Sequence, residues 1–221
     1  MPYIPEKDRP ALDRRVNDLA EEISDALVKI KGTGEIATFY EKSILEIFDT
    51  LYDLELNNKK PKLDTKAKAL ADEMFEVAKG HDHRPPWLGE MNYSITRLIQ
   101  LVPRKMVQKG AWKEEFRYWL YAQTVGALER AALEINRGKR DEKLTYVLNG
   151  MVGSLFDIKD EYKRRVNTAY EAIQIRKSGD CYDTPYRTEL EDVRDSKGDL
   201  VGYKEIMKDY REVKSENKHI E

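Results

Sequence analysis

Apolar residues recur at intervals of three and four along most of the chain, a period that fits amphipathic helices and little else. In the first stretch Val16, Leu19, Ala20, Ile23, Ala26, Leu27 and Ile30 fall on one face. Pro10 precedes them, tolerated in a first turn, and Gly32 and Gly34 end the run. Ile36, Phe39, Ile44, Ile47, Phe48, Leu51 and Leu54 form a second stripe that stops at Asn57-Asn58-Lys59-Lys60-Pro61. Two such helices joined by a Gly-x-Gly link predict an αα-hairpin. Asp64 or Thr65 then caps a third helix with Leu70, Met74, Val77 and Ala78, closed by Gly80.

The loop His81-Asp82-His83-Arg84-Pro85-Pro86 excludes helix, because proline lacks the amide hydrogen and constrains the residue before it. A fourth helix is expected from Leu88 to Val102, where Pro103 should end or bend it. A fifth is expected from Ala111 to Asn136. The sixth holds one stripe from Asp141 to Lys177, on the order of 50 Å at 1.5 Å per residue, longer than a compact domain of this size is wide. It should either break or project toward a partner. Gly150 and Gly153 within it predict close approach of another helix. Val125-Gly126-Ala127-Leu128 and Val152-Gly153-Ser154-Leu155 echo each other and read as a packing pattern.

Beyond Ser178-Gly179-Asp180 the period is lost. Turns at Asp183-Thr184-Pro185 and Asp195 to Asp199 flank Arg187 to Val193, and Leu200 to Tyr203 follow, which allows a small β-hairpin. Lys204 to Glu221 reads as a frayed helix or tail. The expected fold is all-α: a helical bundle with an N-terminal helical hairpin, two long helices and a small C-terminal appendage. The segments are 1–60, 61–178 and 179–221.

Several function classes drop out. Lys and Arg number 39 against 41 Asp and Glu, too even a balance for a general nucleic-acid coat. One cysteine, Cys181, excludes an intramolecular disulfide and a multi-cysteine zinc site, and its acidic neighbours do not favour a thiolate. No apolar run is long enough to span a bilayer, and the first residues lack the apolar core of a signal peptide, so a cytoplasmic protein is expected. No Gly-x-Ser-x-Gly elbow or phosphate-binding glycine loop is present.

His81 and His83, with Asp72 and Glu76 nearby in sequence, offer metal-ligand types, yet read more simply as solvated loop and helix residues. Asp49/Asp53 and Glu73/Glu76 have the three-and-four spacing with which all-α nucleotide pyrophosphohydrolases hold magnesium. A helix so rich in charge generates such pairs as ordinary solvated faces. No catalytic residue, metal or cofactor is assigned. Two polar clusters stand out: Asn92 and Thr96 with Tyr93 and Arg97, and Tyr162 through Arg164 and Arg165 to Tyr170, Glu171 and Asp180. Arginine forks and tyrosine faces suit an anionic, aromatic ligand such as a nucleotide; alternatively Arg164 and Arg165 pair with Asp160 or Glu161.

Met1-Pro2-Tyr3-Ile4-Pro5-Glu6-Lys7-Asp8-Arg9, Gly89-Glu90-Met91-Asn92-Tyr93-Ser94-Ile95-Thr96-Arg97-Leu98, and Glu161 to Val166 through Tyr170-Glu171 to Gly179-Asp180-Cys181-Tyr182 carry a resemblance. Together they resemble an uncharacterised small helical domain family found mainly in phages and prophages, in the same order from residue 1 to about 182. Lys163, Ala169 and Cys181 depart from the family's usual tyrosine, proline and valine. The resemblance implies a phage origin, carries no established activity, and draws attention to Asn92, Arg164, Arg165, Tyr170, Glu171 and Asp180. The resulting expectation is a non-enzymatic phage-type binding protein, a homo-oligomer, capturing a nucleotide-like small molecule or a host protein. The alternatives are a magnesium-dependent pyrophosphohydrolase using Asp49, Asp53, Glu73 and Glu76, and a structural or assembly protein of a phage.

Overall fold

A computed structural model describes residues 4–30, 35–57, 60–81, 85–111, 117–138, 145–168, 186–194, 196 and 200–209. It divides into two units, Met1–Tyr162 and Lys163–Glu221. The described part of the first unit is all-α: a short 3-10 turn at Glu6–Asp8, then α1 (Arg9–Lys29), α2 (Ile36–Asn57), α3 (Lys66–Val77), α4 (Leu88–Gln108), α5 (Arg117–Gly138) and α6 (Thr145–Tyr162).

Each helix buries the stripe that its period marks. Val16, Leu19, Ala20, Ile23 and Leu27 of α1, and Ile44, Ile47, Phe48, Leu51 and Leu54 of α2, are buried in the core. They meet Leu70 and Met74 of α3, Ile95, Leu98 and Val102 of α4, Leu128 and Ile135 of α5, and Met151, Leu155 and Ile158 of α6. The start of α3 follows from chemistry as well as from period: Thr65 is extended, and its Oγ1 accepts a hydrogen bond from the Lys68 amide at 3.2 Å. Its C-terminal turn closes at Gly80, whose φ of +90° suits glycine.

Two expectations about the helices are corrected. α1 and α2 are not each other's principal partners: α1 packs mainly on α4 and also on α3, while α2 packs mainly on α5 and α3. At the α1–α4 contact Lys105 and Lys109 reach Glu21, and Tyr93 and Arg97 reach Asp13, about two turns apart along α1, beside the apolar stripe. α4 does not end at Pro103 but continues to Gln108, because Val102 and Met106 remain buried and the Lys105 and Lys109 pairs hold its last turn on α1. The α-helical part of α6 runs Thr145–Tyr162 and passes directly into a π-helical turn, Lys163–Asn167, at the start of the second unit. Residues 169–185, where the longer helix was expected to run, lie outside the described residues.

Gly150 is where α6 meets α4: a Cβ placed there would stand 2.9 Å from Leu88 Cδ1. Gly153 has open space around it, and a Cβ on Gly126 would meet only Arg130 of its own helix, so the echoed Val-Gly-small-Leu segments do not mark the close approach.

The second unit contains an antiparallel pair, β1 (Tyr186–Arg194) and β2 (Leu200–Asp209). Register runs from Tyr186 opposite Asp209 to Val193 opposite Gly202, with an irregularity between Val193 and Arg194. Lys204–Asp209 are thus extended and paired where a helix or tail was expected.

Candidate functional site

Two of the three segments that carried the family resemblance converge at the start of α4. His81 stands between two carboxylates, with Nε2 at 3.6 Å from Asp8 and Nδ1 at 3.2 Å from Glu90, whose side chain is 1 % exposed. The Arg9 guanidinium lies over the Tyr93 ring at 5.9 Å and donates to the Ile4 carbonyl at 3.4 Å. The Tyr93 hydroxyl donates to Asp13 at 3.0 Å, and Arg97 Nε donates to the same oxygen at 3.2 Å. Burial and the Asp13 hydrogen bond push the Tyr93 phenol up. These groups largely bind one another, though Asp8 Oδ2 and Arg9 Nε are buried without a hydrogen-bond partner, and their combined effect is to dock the beginning of α1 on α4.

Nearby, Trp87 is buried with its indole N–H donating to Glu55 at 3.0 Å, which ties the entry of α4 to the end of α2. A second interior polar group sits farther along the bundle. Tyr40 is wholly buried and its phenol is pushed well up by that burial, with Tyr162 adding to the shift. Burial also raises the Tyr162 phenol.

Asn92 falls within the α4 segment but does not reach solvent. It is 3 % exposed, and its Nδ2 has no hydrogen-bond partner. Arg164 and Arg165 are exposed on the π-helical turn of the second unit. Tyr170, Glu171 and Asp180 lie outside the described residues. Of the six residues singled out from the sequence, the described structure thus places one in an interior and two at a surface.

The sequence reading missed a groove along α2. It is an open groove of about 890 Å³, lined on the α2 side by Thr38, Glu41, Lys42, Leu45, Glu46, Asp49, Thr50 and Asp53. Lys60, Pro61, Lys62 and Lys68 line the other side. Pro61 ends the extension of α2, and the segment that follows brings its lysines beside the helix before Thr65 starts α3. Lys68 lies 2.8 Å from Asp64 and 3.9 Å from Glu46. That contact lowers the Asp64 carboxyl and raises the Lys68 ammonium. Glu41 is held by Arg130 at 2.7 Å, and Asp53 accepts from Asn57 at 2.8 Å. The available signals were the Lys59-Lys60-Pro61-Lys62 run and the Glu46, Asp49, Asp53 stripe at three-and-four spacing, which a single sequence does not place together.

The carboxylates of the hydrolase alternative separate. Asp49 and Asp53 line the groove, whereas Glu73 pairs with Arg15 at 3.1 Å and Glu76 with Lys79 at 2.6 Å. Among the described residues no group of three or more histidine, cysteine or acidic side chains is placed to hold a metal ion. Nor is any described helix long and apolar enough to cross a membrane.

A family model described as a domain of unknown function, DUF6899, matches residues 1–143. The matched span takes in the α4 junction, Asn92 and the groove, and stops before Arg164 and Arg165. No curated protein and no solved structure matches the chain.

Proposed function

The chain belongs to the DUF6899 family of domains of unknown function, and from that premise we propose that it is a non-enzymatic binding protein. Its ligand, a host polypeptide or a nucleotide-like small molecule, is received in the groove along α2. The observation that carries this reading is the groove itself. Its volume, about 890 Å³, falls in the range of roughly 300–1,000 Å³ typical of ligand sites. Its walls present charged side chains of both signs where a helix surface would otherwise be an ordinary solvated face. The reading extends to a phage or prophage setting, which rests on the family resemblance, to a cytoplasmic location, expected from the lack of a long apolar run, and to a homo-oligomer, expected from the long amphipathic stripe over 141–177.

A thermal-shift panel of nucleotides and charged peptides tests the reading, run on the wild type and on Lys60→Glu/Lys62→Glu. A ligand-dependent rise in Tm in the wild type, absent from the variant, is the expected result. Absence of a rise with every member of the panel would refute the binding reading.

A second reading places a nucleotide at Arg164 and Arg165, favoured by the exposure of both guanidinium groups on one turn. The double variant Arg164→Ala/Arg165→Ala should then lose nucleotide binding with its melting curve unchanged. Unaltered affinity would remove that site. The hydrolase and assembly-protein alternatives have no specific observation in their favour.

A further inference from the structure

We infer that the groove along α2 selects an amphoteric polypeptide segment, one carrying basic and acidic side chains together, over a nucleotide. The inference rests on the binding reading above and names the class of its ligand.

Charge decides between the two candidates. The groove is lined by four lysines, Lys42, Lys60, Lys62 and Lys68, and by four carboxylates, Glu41, Glu46, Asp49 and Asp53, so it carries no formal net charge. A nucleotide brings two or more negative charges on its phosphates. It would gain from the lysines and lose comparably to the carboxylates, and no phosphate-cradling glycine loop is present in the sequence to tip the balance. A polypeptide with both signs can set its acidic groups on the lysines and its basic groups near the carboxylates, so it avoids that repulsion.

The placement of the charges also suits a chain more than a compact anion. Glu46, Asp49 and Asp53 recur at intervals of three and four along α2, so they form a stripe about 10 Å long at 1.5 Å per residue. Three of the lysines, Lys60, Lys62 and Lys68, belong to the opposite side. A ligand lying along the groove therefore meets mostly carboxylates from α2, with Lys42 among them, and lysines from the segment before α3 and its first turn, of which Lys68 reaches Glu46. Among the described residues Lys42 and Lys60 have no ion-pair partner, and Lys62 is 87 % exposed and only 3.9 Å from Asp64. These ammonium groups are available to incoming carboxylates. Leu45, Pro61 and the aliphatic stems of the charged side chains make the larger part of the lining apolar, so a bound segment also rests on hydrocarbon, while the charges set its register and make that part of recognition sensitive to salt.

The experiment is a synthetic array of 12-residue peptides in which net charge and number of charges vary independently. It is probed with the full chain at 50 mM and 300 mM salt, with ATP titrated separately by calorimetry. Peptides with several charges of both signs and net charge near zero should be retained. Their signal should fall several-fold at the higher salt and about tenfold in Lys60→Glu/Lys62→Glu, a variant of exposed residues checked for an unchanged melting curve. Peptides with the acidic positions changed to lysine should recover binding to that variant.

If retained peptides follow net charge alone, or ATP binds in preference and is lost in the variant, the amphoteric inference falls while the groove remains a binding site. If neither peptide nor ATP binding responds to the variant, the groove reading falls as well.

Discussion

Adding a single methyl at Gly150 probes the α4–α6 contact. Alanine in place of a mid-helix glycine favours the helix by about 1 kcal/mol. At Gly150 the new Cβ would stand 2.9 Å from Leu88 Cδ1, 3.5 Å from Cδ2 and 3.7 Å from Cγ. Ordinary carbon–carbon separation is about 3.5–4.0 Å, so the leucine tip must retreat by roughly an ångström or less. Leu88 is the first residue of α4 and only half buried, so it yields by rotating. A displaced rotamer costs on the order of 0.5–1.5 kcal/mol.

The two effects nearly cancel, and Gly150→Ala alone should leave stability within about 0.5 kcal/mol of wild type. In a Leu88→Ala background the obstacle is gone, and Gly150→Ala should then stabilise by about 1 kcal/mol. Urea denaturation followed by circular dichroism on the four proteins of this cycle measures the coupling, expected at about 0.5–1.5 kcal/mol. If Gly150→Ala changes stability equally in both backgrounds, the steric argument is wrong and α4 does not meet α6 at this glycine.

Glu21 gives an acid-stability prediction: hydrogen bonds from Lys105 and Lys109 hold its carboxyl at about 2, against an ordinary 4.5. A depressed carboxyl stabilises the fold at pH above 4.5, and the contribution is lost as pH falls from 4.5 toward 2. Melting temperatures across that interval should therefore fall less steeply in Glu21→Gln, and added salt should shrink the difference because the side chain is 46 % exposed. Thr65→Ala removes the cap on the Lys68 amide and should cost about 1 kcal/mol, a fall in Tm of a few degrees. An unchanged melt would show that the cap contributes nothing. Trp87→Ala should cost about 3–5 kcal/mol by emptying a fully buried site. Glu55→Gln should cost under about 1 kcal/mol, since an amide oxygen still accepts the indole N–H. Equal losses in these two variants would overturn that ranking.

Much of the fold was legible in the sequence, because helix formation and burial are written locally. The stripes Val16 to Leu27 and Ile44 to Leu54 are buried as their spacing requires, and Thr65 and Gly80 bound α3 by their own backbone chemistry. The candidate site was much less legible. Asn92 looked like a ligand residue beside Tyr93 and Arg97, yet it faces the interior, while Tyr93 and Arg97 are taken by Asp13 of another helix. The groove depends on Lys60 and Lys62 lying beside Glu46 and Asp49, residues that no local period relates.

From sequence alone came the helical class, the buried stripes and the cap of α3, since each depends on residues within a few turns of one another. Tertiary structure alone decided which helices became partners. An apolar stripe fits many neighbours nearly equally well, and the choice fell to groups distant in the chain. Glu21 with Lys105 and Lys109 and Asp13 with Tyr93 and Arg97 join α1 to α4 in place of a hairpin partner, and Gly150 admits Leu88 where α6 crosses α4. Hydrophobicity sets how much surface each helix buries; which neighbour covers it is settled only when distant parts of the chain meet.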